Sequence, residues 1–327
     1  MSKLRAEMIT ARGLADSSAD LYMRCLTTLA GGSFRTLAFL VDVPAVEAKI
    51  ADKALTTRKS YYAAAFAALS TKKTPQYVAL ARRYKALLDG NAEAIVAAAP
   101  AEGTKTAREA AAWMEWPAVL AARDALPGRK LLTGKARPSY TAAEWAQMTQ
   151  YMLLCLYTMI EPRRVKDFQH MVVLTKKAPV PLDYTITDAS LNVLDMPMRR
   201  FVFNNYKTAK TYGQQIIAIP DELMAVLAAW WRHHPLKRSG VPVLEPPLIV
   251  DVDGVRPGSD NYICRMLNAA LGGRKISVSM LRHIYLSHRF GPMLEETAAA
   301  AAAMGHSTAT QRTYIRAGAG DDKISHE

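Results

Sequence analysis

The chain has 327 residues, 50% hydrophobic and 22% charged, a balance that suits two folded domains and excludes a chain too polar to bury a core. An excess of 42 Lys+Arg over 29 Asp+Glu gives a formal charge of +13, which favours a polyanionic partner because each neutralised phosphate releases a condensed counterion. Three widely spaced cysteines, Cys25, Cys155 and Cys264, exclude a disulfide framework and a cysteine-based zinc site, and with no signal peptide and no run of ~20 apolar residues the expectation is an intracellular protein with no membrane partner.

Residues 1–127 read as a helical domain. Apolar positions recur three or four apart over Ser17 to Leu29, Val43 to Ala51, Thr56 to Leu69, Pro75 to Leu88 and Thr106 to Leu126, and no strand pattern interrupts them. Ser17, Thr56 and Thr74-Pro75 supply starts, and Asp89-Gly90 supplies a stop. Residues 128–138, PGRKLLTGKARP with the preceding proline, turn basic and loop-like. They are expected to form an interdomain linker, with Arg129, Lys130, Lys135 and Arg137 placed to touch a phosphate backbone. A solvated loop accounts for any one of those side chains equally well.

Residues 139–327 read as mainly α with a small antiparallel sheet. A long apolar helix covers Ala142 to Ile160, followed by short β-prone runs at Met171 to Leu174, Leu191 to Asp195, Arg200 to Asn205 and Gln214 to Ile219. Helical sequence returns at Asp221 to His233, Asp260 to Leu271, Val278 to Phe290, Pro292 to Met304 and Thr308 to Arg316. The six alanines Ala298 to Ala303 suit a tightly packed helix, alanine being the best helix former. Trp230-Trp231 and the Trp113 to Trp116 segment read as packing anchors, and His233-His234 as the basic end of a helix, favoured by its dipole.

Cleaving a phosphodiester without a metal needs a nucleophile, cations for the non-bridging oxygens and an acid for the leaving oxygen. Candidates for all three fall in this second half. Arg163-Arg164 ends a helical segment, and arginine's planar fork matches phosphate oxygens; taken singly, such pairs are more often surface features. Arg282 sits among apolar residues in Ser279-Met280-Leu281-Arg282-His283 and needs a partner there, a buried ion pair or a ligand. Gly305 stops a helix just before His306, and Tyr314 follows between Arg312 and Arg316.

The order of arginine, hairpin lysine, Leu-Arg-His helix, Gly-His turn and tyrosine resembles the tyrosine recombinases, over the whole second half. The wording of Pro162 to Phe168, Tyr206-Lys207-Thr208, Leu281-Arg282-His283 and Met304 to Ser307 is most similar to integrases of large DNA viruses, virophages and related mobile elements. The resemblance implies a helical core-binding domain followed by the α+β catalytic domain of that fold. It further implies site-specific DNA recombination through a 3′-phosphotyrosyl intermediate, with no cofactor. Arg164, preferred over Arg163 because Asp167 and Phe168 follow at the family's spacing, and Arg282 would clamp the scissile phosphate. Lys207, with Lys210 as the fallback, would protonate the leaving oxygen, His306 would bond a non-bridging oxygen, and Tyr314 would attack.

Two departures accompany the match. Ser279 stands where the family commonly has histidine, and a hydroxyl is a poor proton acceptor near neutral pH; the spacing from His306 to Tyr314 is one residue shorter than is usual in bacterial members. The partners implied are double-stranded DNA and, on paired sites, a homotetramer assembled from a free monomer. Because the chain continues only to Glu327 after Tyr314, its protein contacts are expected to come from the helices. The rival readings are a tyrosine topoisomerase or telomere resolvase, and a DNA-binding protein that has lost catalysis.

Overall fold

The computed structural model describes residues 3–99, 103–175, 190–240, 243, 245–259 and 261–315. The chain divides into two compact units, residues 1–105 and 106–327. It is mainly helical with one four-stranded sheet, and no helix among the described residues is long and apolar enough to cross a membrane.

The first unit consists of α1 (Lys3–Arg12), α2 (Asp16–Ala30), α3 (Val43–Ile50), α4 (Leu55–Leu69) and α5 (Pro75–Ala97). Its core combines Leu26, Leu29, Leu40 and Ile50 with the buried alanines Ala64, Ala65 and Ala68 of α4. Small side chains there let α5 lie close against α4. The stop expected at Asp89-Gly90 does not act, and α5 runs on to Ala97. A mid-helix glycine costs only about 1 kcal/mol, and tertiary anchors offset it: Tyr84 Oη donates to the Leu40 carbonyl (3.0 Å) and Asn91 Nδ2 to the Leu55 carbonyl (2.9 Å). Arg5 holds α1 to α2 by ion pairs with Asp16 and Asp20.

The second unit begins well before the expected linker. Its elements are α6 (Ala107–Ala112), α7 (Trp116–Ala125), α8 (Gly128–Thr133), α9 (Ala142–Leu156), α10 (Val165–Gln169), β1 (Val172–Leu174), β2 (Val193–Asp195), β3 (Arg200–Phe203), α11 (Ala209–Tyr212), β4 (Gln215–Ala218), α12 (Asp221–His233), α13 (Pro235–Arg238), α14 (Tyr262–Ala270), α15 (Val278–Ala303) and α16 (Thr308–Tyr314). The single helix expected over Thr106 to Leu126 is broken: Trp113 takes an extended backbone at the end of α6, and Pro117 lies in the first turn of α7, where its missing N–H costs nothing.

Residues 128–138 are not an interdomain linker. The α8 helix packs on α9, with Leu132 fully buried. A Cβ on Gly128 would meet the Gln147 carbonyl oxygen at 1.9 Å, so that glycine serves close approach of two backbones, not a turn. Arg137 N–H donates to Tyr140 Oη (2.9 Å), Arg238 donates to the Arg137 and Pro138 carbonyls, and Tyr140 is hydrogen-bonded to His233. Two leucines in a basic segment, Leu131 and Leu132, proved enough to seat it, a long-range effect that local composition does not register.

At the centre lies α9, opened by a reciprocal cap between Thr141 and Glu144 and buried along most of its length, including Trp145, Met148, Met152 and Leu156. The sheet has the order β1-β2-β3-β4. It is mixed, not wholly antiparallel: β1 runs parallel to β2, with Val172 opposite Val193, and the other pairs are antiparallel. Alternation sends Leu194, Phe201 and Phe203 to the main core and Val172, Val193 and Val202 to a small second cluster. Phe168 of α10 meets Phe201, Phe203 and Tyr157 edge-on at 5.6–5.8 Å, seating α10 against the sheet.

Where two helices were expected around Gly291-Pro292, one helix, α15, runs from Val278 to Ala303 with Pro292 inside it. An interior proline costs about 3 kcal/mol by removing one backbone bond and crowding the preceding turn. Here Pro292 is exposed, the freed carbonyl remains within reach of water, and the alanine run beyond it favours the helix strongly enough to carry it through. Of the residues named at element ends in the sequence, Asp260 and Arg316 lie outside the described residues.

Candidate active site

Arg164 is the residue just before α10, in extended conformation, and half-buried. The adjacent Arg163 has a different fate. Its Nε donates to Asp167 (2.9 Å) and its Nη1 to Gln215 (3.0 Å), and its guanidinium lies 3.8 Å from the centre of the Phe203 ring. Arg163 is thus a structural clamp between α10 and the β3–β4 hairpin, whereas the Arg164 guanidinium forms no ion pair or hydrogen bond with a described residue, although the Asp167 carboxylate feels its charge. Burial of the Asp167 carboxyl pushes its pKa up, and Arg163 opposes that shift.

Lys207 lies in the β3–β4 connection, one residue after the buried Tyr206, and Lys210 lies in α11 of the same connection. Both are exposed, and neither side chain is paired with another described residue. The connection is fixed from beneath by Asn192, 5% exposed. The Asn192 Nδ2 donates to the carbonyls of Asp167 (3.0 Å) and Asn205 (2.9 Å), and its Oδ1 accepts from the backbone N–H groups of Asn204 (2.9 Å) and Asn205 (2.8 Å). One buried amide therefore ties the segment that carries Arg164 to the segment that carries Lys207. Sequence reasoning missed Asn192; a lone asparagine opening a strand carries no signal until its four partners are known.

Arg282 stands in the first turns of α15 between the buried residues Leu281 and Ile284, which belong to the same core as Phe168. It is half-buried, and its side chain is not paired with any described residue. Ser279, three residues earlier and so on the same helical face, is exposed. The N-terminal part of α15 is held by Tyr285 against Trp116 (5.2 Å between rings) and by His283 Nδ1 at 3.0 Å from Glu109.

His306 and Tyr314 are at the far end of α15. The helix closes with Gly305 in the left-handed conformation (φ 71°), with His306 N–H bonded to the Ala301 carbonyl and Gly305 N–H to that of Ala302, a pattern that satisfies the last carbonyls. The His306 Nδ1–H donates to the Ser307 carbonyl (3.2 Å), leaving Nε2 to face a ligand. The rings of His306 and Tyr314 are 5.7 Å apart, and with Met304, Gln311 and Ile315 they line an open hollow of about 480 Å³. Tyr314 is 67% exposed.

The six candidates therefore form two groups. Arg164, Lys207, Ser279 and Arg282 stand on elements rooted in the core, whereas His306 and Tyr314 stand together beyond the end of α15. The helix between Arg282 and Ala303 is ~30 Å long at 1.5 Å per residue, and Tyr314 stays beside His306, so one chain in this conformation does not bring the tyrosine to Arg282.

Among the cations proposed to touch a phosphate backbone, Arg129, Lys130 and Lys135 are exposed, while Arg137 is paired with Glu144 (2.7 Å) and lies over the Tyr140 ring. His233 and His234 are not a charged helix end: both are fully buried, and burial lowers both pKa values, that of His234 to about 4. Trp116 and Trp230 are buried in the core, as packing anchors should be. No group of three or more His, Cys, Asp or Glu side chains among the described residues could hold a metal ion. Comparison of the chain with family models, curated proteins and solved structures returns no match.

Proposed function

We propose that the chain is a DNA strand transferase of the tyrosine recombinase type. The observation that carries the reading is the state of its cations. Arg163, Arg123 and Arg200, close to carboxylates, are spent on ion pairs, whereas the side chains of Arg164, Lys207 and Arg282, flanked by buried neighbours, form no ion pair with a described residue. A half-buried arginine outside any ion pair is costly unless a ligand supplies negative charge, and arginine's planar fork matches the non-bridging oxygens of a phosphodiester.

In the reaction, Tyr314 Oη attacks the phosphorus and the bond to the 5′-oxygen breaks, leaving a 3′-phosphotyrosine and a free 5′-hydroxyl. The phenolic proton passes to solvent, which exposed Tyr314 reaches directly, and Lys207 gives its proton to the leaving oxygen. Arg164, Arg282 and the His306 ring stabilise the charge on the phosphorane. The net charge of +13 supports the DNA itself as the partner. A second reading, a DNA-binding protein without cleavage, draws on the distance between Tyr314 and the arginines.

The deciding experiment incubates the protein, without metal, with nicked duplexes from the ends of its own genetic element and looks for an SDS-resistant protein–DNA adduct. The expected result is a 3′-linked adduct that disappears in Tyr314→Phe. DNA that is bound and never becomes attached would leave only the second reading.

A further inference from the structure

We infer that the first unit holds a binding site for a nucleoside phosphate, in a hollow where α1, α2, the α2–α3 connection and the start of α5 meet. The site is separate from the candidate active site, and the inference does not depend on the cleavage reading.

The hollow has a volume of about 440 Å³, within the range of pockets that hold small ligands. Its floor is formed by Leu4, Met23, Phe34, Leu37 and Tyr77, which belong to the core of the unit or pack against it. The walls are held by contacts that leave the hollow open. Gly31 ends α2 in the left-handed conformation (φ 77°), its N–H and that of Gly32 bond to the carbonyls of Thr28 and Thr27, and the chain turns into the segment from Phe34 to Leu37. That segment is fixed by Leu37, which is buried, and by the Phe34 ring, which meets Phe39 edge-on at 5.1 Å. The ion pairs of Arg5 with Asp16 and Asp20 hold the start of α1.

Charge identifies the ligand. Lys3, Arg35 and Lys72 line the hollow, and no acidic side chain among the described residues lines it. Lys72 is paired with Glu7 (2.7 Å). The side chains of Lys3 and Arg35 form no ion pair with a described residue, although the Glu7 carboxylate feels the charge of Lys3. A floor with two aromatic rings and a cationic rim suits a ligand that is a flat heterocycle at one end and an anion at the other. Aromatic rings stack on a base whatever its identity, and lysine and arginine bond phosphate oxygens. The hydroxyls of Thr36 and Tyr77 also line the hollow and can bond the edge of a base, a use that an acyl chain of similar size lacks. A free nucleotide and an unstacked nucleotide of a single strand offer this same chemistry.

Calorimetric titration of the full-length protein at low salt with adenosine monophosphate, adenosine and inorganic phosphate in turn tests the site. The nucleotide should bind, and adenosine and phosphate should each bind about tenfold more weakly or worse, because each meets only one part of the hollow. Arg35→Glu, at an exposed residue, and Phe34→Ala should each weaken the nucleotide by about tenfold or more. Lys73→Ala, at an exposed cation outside the hollow, should leave it unchanged, and Arg35→Glu keeps the test decisive if Phe34→Ala does not fold. A short single strand of DNA then separates the two sources: competition with the nucleotide assigns the site to a strand, and simultaneous binding assigns it to a free nucleotide. Phosphate that binds as well as the nucleotide, or nucleotide binding that is absent or indifferent to Arg35→Glu, overturns the inference.

Discussion

The body of the second unit and its C-terminal arm are built on opposite physical plans. In the body, each candidate cation has buried neighbours: Phe168 behind Arg164, Tyr206 before Lys207, Leu281 and Ile284 around Arg282. The backbone between the first two is stitched by the four hydrogen bonds of Asn192. In the arm, from Leu286 to Ile315, Ala301 alone is buried and Tyr314 stands in an open hollow. Side chains with buried neighbours are held in a fixed geometry, while an element with few buried contacts has low local stability.

Acid should break the body half of this contrast most. The buried His234 accepts a hydrogen bond from the Leu236 backbone N–H at Nδ1 (3.3 Å), which requires the neutral ring, and burial lowers its pKa from 6.5 to about 4. Because the folded value lies below the unfolded one, the stability it contributes is complete above pH 6.5 and is lost as pH falls toward 4, where the unfolded chain takes up the proton and the folded chain does not. The loss amounts to about 3 kcal/mol, and His234→Gln should flatten that part of the profile. Thermal melts at intervals between pH 7 and pH 4 measure it; a Tm equally acid-sensitive in the variant would mean that other groups govern the transition.

A smaller effect is expected at the Asn192 stitch. Asn192→Ala leaves buried backbone groups of Asp167, Asn204 and Asn205 without their partner and should cost about 2 kcal/mol. It should also loosen the loop that holds Lys207, so adduct formation falls by more than DNA binding does. Equal losses in the two assays would show that Asn192 supports the fold without positioning the lysine.

The smallest effect on folding is expected in the arm. Leu294→Ser, at a residue 58% exposed, should change unfolding free energy by no more than about 0.5 kcal/mol, measured by denaturant titration. A large loss of stability would instead place Leu294 in contact with the body of its own chain.

Much of this molecule is legible locally. The four strands fall within two residues of their expected ends because β-branched and aromatic runs between turns announce them, and α9 and α12 follow from their apolar spacing. The preference for Arg164 over Arg163 came from the family's spacing to Asp167 and Phe168, whereas the ion pair of Arg163 with Asp167 (2.9 Å) was visible only in the folded chain. Asn192 and the buried pair His233-His234 were not legible, because an amide's partners and a ring's burial are set by residues distant in sequence.

The sequence by itself determined the helical character of both units, the positions of the strands and the order of the candidate residues Arg164, Lys207, Arg282, His306 and Tyr314, since each depends on local periodicity and side-chain chemistry. Tertiary structure alone decided that the division falls after Lys105, that β1 and β2 run parallel, and that the helix persists through Pro292 and carries Tyr314 away from Arg282. Those outcomes turn on competitions a short window does not contain: one glycine allowing α8 onto α9, one strand choosing its neighbour, and an alanine-rich helix outweighing its own proline.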